Sequence, residues 1–154
     1  MFTEEEQKEI AVELAKYPVK SAAGLEVLKI VQKHRGWISD ECLSEVARLV
    51  EMTDDELDGV ATSYNHIFRK SVGRHIIFVC DGMACWIKGY LNIIEHLRNK
   101  LGITLGQTTD DKRFTLLPSS CLGVCEKAPV MIVDDDLYVE LNSAKIDEIL
   151  NKYK

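Results

Sequence analysis

The sequence predicts a small helical bundle followed by an α/β lobe, so that the chain is α+β as a whole and α/β in its second half. Three observations lead there. Through residues 1–70, capping signals recur ahead of apolar residues at helical spacing. From residue 71 onward the text changes to short apolar runs rich in β-branched residues and bounded by glycine. One longer helical pattern separates the first two of those runs, as a crossover between parallel strands requires.

The helices come first. In "TEEE", Thr3 is placed as an N-cap with Glu6 as its capping-box partner, and the helix must stop before Pro18. In "GLEVLKIVQKH", Leu25, Leu28 and Val31 fall on one stripe and Gly36 supplies the stop. Ser39 caps a third helix with Leu43, Val46, Ala47 and Val50 facing inward. Thr53 and Glu56 form a second capping box, opening a fourth helix through Leu57, Val60, Ala61 and Tyr64. Short helices on short turns make a small bundle.

The strands follow. "HIIFVC", between Gly73 and Gly82, reads as a buried strand. Ile87, Tyr90, Leu91, Ile94, Leu97 and Leu101 keep helical spacing up to Gly102. "RFTLLP" is a second strand, and "VMIVDDDLYVEL" is two strands around an acidic turn. Ile146, Ile149, Leu150 and Tyr153 mark a closing helix. The order β-α-β-β-β-α describes a thioredoxin-like lobe over residues 71–154 behind a bundle over 1–70, with the boundary near residues 66–73. A strand, a crossover helix and a second strand make a parallel pair whose carboxyl ends share one side of the sheet, where ligands of open α/β sheets bind.

Composition narrows the function. The chain has 154 residues, enough to bury roughly 68–70 % of its unfolded surface without cross-links. A net charge of −6, with acidic clusters "TEEE", "TDDE" and "VDDD", speaks against a nucleic-acid partner, which needs a basic face. No apolar run approaches the ~18 residues of a membrane span, so no direct membrane insertion is expected. The acidic start "MFTEEEQKEI" is unlike a signal or transit peptide, so the expected compartment is reducing.

That compartment bears on the five cysteines, Cys42, Cys80, Cys85, Cys121 and Cys125. An odd number in a reducing compartment speaks against a disulfide framework. Cys42, alone on a helix between apolar neighbours, reads as a core residue. The other four form pairs, C-x4-C in "CDGMAC" and C-x3-C in "CLGVC", each beyond a strand end, so the parallel topology brings four thiols to one rim. Gly82 and Gly123 let backbone approach a bound group and turn N–H groups toward it. Neither pair has the C-x-x-C spacing of a redox dithiol. Two readings stay open. Structural zinc accepts four thiolates, giving a zinc-stabilised interaction module, although a chain of this size needs no metal staple. A 2Fe–2S core wants two cysteines on each iron, which two pairs on two loops match more directly.

No G-x-G-x-x-G and no phosphate-cradling loop occurs, so NADH and flavin are not expected on this chain. His34, His66, His75 and His96 are scattered without H-E-x-x-H. No catalytic residue is picked out by spacing, and "DDD" is most simply a solvated turn.

"VGRHIIFVCDGMACWIKGY" with "RFTLLPSSCLGVCEKAPVMIVDDDLY" resembles the 24 kDa (E) subunit family of NADH:quinone oxidoreductase, respiratory complex I. "GLEVLKIVQKHRGWIS" and "GVATSYNHIF" extend the likeness through the helical half; a departure is Ser63, where the family often has Phe. The resemblance implies a thioredoxin-like ferredoxin lobe with one 2Fe–2S cluster, Cys80 and Cys85 on one iron, Cys121 and Cys125 on the other. It implies an electron-transfer role without an independent catalytic site. The expected partners are a flavoprotein subunit that carries FMN and takes hydride from NADH, with the cluster close to the flavin, and further complex I subunits. Residues 1–70 would then be a docking bundle, and the protein would be cytoplasmic, peripheral on the inner face of a bacterial cell membrane. Related subunits serve NAD-linked hydrogenases and formate dehydrogenases, the alternative parents.

Overall fold

The computed structural model describes residues 2–153. The chain divides into two compact units, Met1–Ser71 and Val72–Lys154. Among the described residues there are seven α-helices and five strands, and no helix is long and apolar enough to cross a membrane.

The first unit holds α1 (Glu4–Leu14), a 3-10 turn (Lys20–Ala23), α2 (Gly24–Arg35), α3 (Asp40–Val50) and α4 (Asp54–Ser63). The capping boxes form as read: Thr3 with Glu6, and Thr53 with Glu56, each satisfying two otherwise orphaned N–H donors. Ser39 accepts from Cys42 N. The inward stripes close a core of Val27, Leu28, Val31, Leu43, Val46, Ala47, Val50, Leu57 and Ala61. Tyr64 departs from the expected stripe. It is the C-cap of α4, extended at φ −115°, and its side chain faces solvent.

Gly24 sets how closely α2 meets its neighbours, since a Cβ there would lie 3.2 Å from Leu57 Cδ1. Beyond α4, Arg69 ties the last residues of this unit back to the bundle. Its Nε donates to Asp58 (2.7 Å), one terminal nitrogen donates to Asp40 (2.7 Å), and the other to the Ile38 carbonyl.

The second unit is a five-stranded sheet in the order β2-β3-β1-β4-β5. The strands are β1 (His75–Cys80), β2 (Gln107–Thr108), β3 (Phe114–Ser119), β4 (Met131–Val133) and β5 (Asp136–Tyr138). The expected β-α-β-β-β-α order holds, with β2 as one additional edge strand. It pairs with β3 over two residues and is too short to leave a periodic signal.

β1 and β3 are parallel, with His75 opposite Phe114 and Cys80 opposite Ser119, while β1 and β4 are antiparallel. The crossover is two helices, α5 (Met83–Ile87) and α6 (Tyr90–Leu101), where the spacing suggested one. Gly89, at φ +108°, makes the break. Because the helix restarts there, α6 buries Tyr90, Ile93, Ile94 and Leu97, while Leu91 and, at the end of α5, Ile87 are exposed. α7 (Ser143–Lys152) closes the unit with Ile146, Ile149 and Leu150 buried.

Candidate metal centre

Each cysteine is placed by an ordinary feature of the backbone. Cys80 is the last residue of the central strand β1, so its side chain is built into the core. Cys85 sits within the single turn of α5, on the inner face with Ala84, and is 1 % exposed. Cys80 closes the first strand as the sequence predicts; Cys85, expected in a glycine-containing loop beyond the strand end, is instead buried by the helical turn of α5. Cys121 follows the end of β3 by two residues, and Cys125 opens a 3-10 turn (Cys125–Lys127); both are exposed.

Parallel pairing makes these four neighbours. Asp81 N donates to the Ser119 carbonyl at 2.9 Å, holding the two strand exits side by side. Cys121 Sγ and Cys125 Sγ lie 3.3 Å apart. The Cys80 thiol perturbs both Cys85 and Cys121, which makes the four thiols neighbours in the order Cys85–Cys80–Cys121–Cys125. Among the described residues, no three His, Cys, Asp or Glu side chains are arranged to hold a single metal ion.

The backbone supplies donors to sulfur. Gly123, at φ +82°, turns its N–H toward Cys121 Sγ (3.4 Å). Val130 lies beside the end of β1, where its carbonyl accepts from Cys80 N (3.1 Å) and its backbone N–H acts to lower the Cys85 thiol. Gly123 was legible as a loop glycine. Val130 was not, because a main-chain donor leaves no residue-type signature.

The electrostatics differ between the pairs. Burial, and then the adjacent Cys80, push the Cys85 thiol up to about 11. The Gly123 N–H, and then Cys125, hold Cys121 below the ordinary thiol value, while Cys121 raises Cys125. The set crowds four sulfurs whose thiolates repel one another and would be stabilised by positive charge between them.

The residues present fit a cluster with four thiolate ligands. Two pairs converge, sulfur-directed N–H groups are already aimed, and Gly82 leaves space between the loops: a Cβ there would stand 3.4 Å from both Cys80 Sγ and Cys121 Cβ. Cys42 is separate from this set. It lies in the helical unit, 6 % exposed, with Arg35 Nη1 donating to its sulfur at 2.8 Å.

The lobe with its convergent thiols defines a class of protein, and comparison with known proteins agrees. The model of the thioredoxin-like [2Fe-2S] ferredoxin family matches residues 10–154, and the chain belongs to that family. More particularly, it is 43 % identical over 153 residues to the E subunit of NADH-quinone oxidoreductase from Pseudomonas aeruginosa, covering 99 % of this chain and 92 % of that protein. It is 46 % identical over 149 residues to the E subunit of NADH-quinone oxidoreductase from Escherichia coli K12, covering 97 % and 90 %. Among solved structures, an NAD+-reducing [NiFe]-hydrogenase in the air-oxidized state superposes with a TM-score of 0.71 at 24 % identity, over 85 % of this chain and 22 % of that one. That likeness is one of fold.

Proposed function

We propose that this chain is the electron-transfer subunit of the NADH dehydrogenase module of an NADH:quinone oxidoreductase. It carries one 2Fe–2S cluster, close to the FMN of a partner flavoprotein subunit. The observation that supports this most is the single string of four thiols at the carboxyl edge of β1 and β3, in a chain of the thioredoxin-like [2Fe-2S] ferredoxin family. Cys80 and Cys85 would hold one iron and Cys121 and Cys125 the other. When bound, such a cluster supplies a one-electron acceptor. The chain's own contribution is to bury one pair, present the other, and direct the Gly123 and Val130 N–H groups at sulfur. Hydrogen bonds and exposure of this kind set an iron–sulfur potential.

Near-complete coverage of the NADH-quinone oxidoreductase relatives favours the quinone-linked enzyme as parent over a hydrogenase or formate dehydrogenase. The complex would hold the chain on the inner face of the bacterial membrane, with residues 1–70 docking on the flavoprotein and no catalytic site on this chain.

Hydride carries two electrons and the cluster takes one, so a flavin has to stand between NADH and this chain. Dithionite should therefore bleach the isolated brown protein and NADH should not, whereas NADH should bleach it once the flavoprotein is added. Bleaching by NADH alone would overturn the reading. For the docking role, a chain beginning at Ser71 should keep its visible spectrum and fail to co-purify with the flavoprotein. Normal co-purification would remove that role from the bundle.

A further inference from the structure

Resting on the reading above, we infer that Cys121 and Cys125 are a redox gate on cluster loading: before the cluster is in place they close into a reversible disulfide, and only the reduced pair admits it. Their sulfurs stand 3.3 Å apart, already in contact, and a bond requires an approach to about 2.05 Å. The loop between them can supply that approach. Gly123 within it has φ +82°, and apart from chain neighbours nothing lies within 4 Å of where a Cβ would stand. No residue of the 3-10 turn that Cys125 opens is buried. The other two ligands are placed differently. Cys80 and Cys85 are 2 % and 1 % exposed, out of reach of an oxidant in solution. Cys80 is also held on a paired strand, its N–H donating to the Val130 carbonyl. Solvent therefore meets Cys121 and Cys125 alone among the five cysteines.

The oxidant is a low-molecular-weight disulfide, RSSR. One of the two thiols, as its thiolate, attacks a sulfur of RSSR, forming a mixed disulfide and releasing RS⁻. The second thiolate then displaces the remaining RS⁻ from the mixed disulfide. The S–S bond of RSSR breaks, the Cys121–Cys125 bond forms, and the two protons of the protein thiols leave on two RSH. The chain gives up two electrons and RSSR takes them. Closure removes two of the four thiolates, so one iron has neither of its protein ligands. Reversal needs only the same exchange run backwards. An exposed disulfide is of the labile, regulatory kind, and a small thiol reaches this one directly from solvent. The buried pair stays reduced throughout, ready to ligate once the gate reopens.

The test uses the cluster-free full chain, glutathione disulfide as oxidant, and a preformed glutathione-ligated [2Fe–2S] cluster as donor. After oxidation the chain should lose the mass of two hydrogens, and peptide mapping should find a Cys121–Cys125 bridge with Cys42, Cys80 and Cys85 free. The bridged chain should take up cluster roughly 10-fold more slowly than the reduced chain, read by visible absorbance and bound iron, and dithiothreitol should restore the rate. A bridge to Cys80 or Cys85, a glutathione adduct that never closes, or equal loading of bridged and reduced chains would overturn the gate and leave the electron-transfer reading intact. Failure of the reduced chain to take up any 2Fe–2S cluster would overturn that reading and the gate together, whatever the mass shows.

Discussion

In the helical unit Glu6 is 1 % exposed, and Arg35 meets it with Nε at 2.7 Å and Nη2 at 3.0 Å. In the α/β unit Cys80 and Cys85 are as deeply buried. There, what acts on Cys85 is burial and a neighbouring thiol, relieved only by the Val130 N–H. The Arg35 guanidinium holds the Glu6 carboxyl down at about 2, whereas Cys85 is pushed up to about 11. The first unit neutralises its buried acid with a cation of its own. The second gathers four thiols, keeps Cys85 protonated, and provides no cation for the thiolates they would form on ionising. A buried charge is tolerated only when paired, so the acid with its own cation reads as structure and the thiols without one read as a candidate site.

The comparison breaks most completely at the thiols. Replacing Cys80, Cys85, Cys121 or Cys125 with Ala should abolish or severely destabilise the cluster, because an iron loses half of its protein thiolates. Cys42→Ala should retain it. Iron and acid-labile sulfide assays on the five variants decide, and loss of iron in Cys42→Ala with retention in Cys121→Ala would reverse the assignment.

Next in size is the Glu6–Arg35 pair. Arg35→Met leaves Glu6 buried without its cation and should cost about 3–5 kcal/mol of bundle stability. Since the folded value of Glu6 lies below its ordinary 4.5, the pair's contribution is present above pH 4.5 and is lost as pH falls toward 2. Over that window the loss amounts to about 3 kcal/mol. Urea unfolding read by Trp37 fluorescence, in a Trp86→Phe background that leaves one tryptophan, measures both effects. An acid-insensitive bundle, or an unaffected Arg35→Met variant, would show that the pair is not the internal solution described.

The smallest effect separates the thiol pairs themselves. In cluster-free protein, Cys80→Ala should cost about 1 kcal/mol of lobe stability through lost packing. Cys121→Ala, at an exposed position, should cost less than about 0.5 kcal/mol.

The same contrast explains what was legible in the sequence. Thr3 with Glu6, Ser39, and Thr53 with Glu56 could be read as caps because each bond spans three residues. That Glu6 also pairs with Arg35, 29 positions away, could not, because the partner is set by helix packing. The parallel β1/β3 pair was visible through its apolar runs and crossover, and with it the meeting of two cysteine pairs 35 residues apart. The split at Gly89 was hidden because Ile87 and Leu91 keep helical spacing across it. β2 was hidden by its length. Burial of Cys85 depended on α5 being a helical turn where the text suggested a loop.

The central claim is that Cys80, Cys85, Cys121 and Cys125 together hold one 2Fe–2S cluster. Its most direct test is the iron, zinc and acid-labile sulfide content per chain of the purified full-length protein, with its visible spectrum. The account predicts a brown protein with about two irons and two sulfides per chain and no stoichiometric zinc. A colourless protein with one zinc per chain and no sulfide would contradict it.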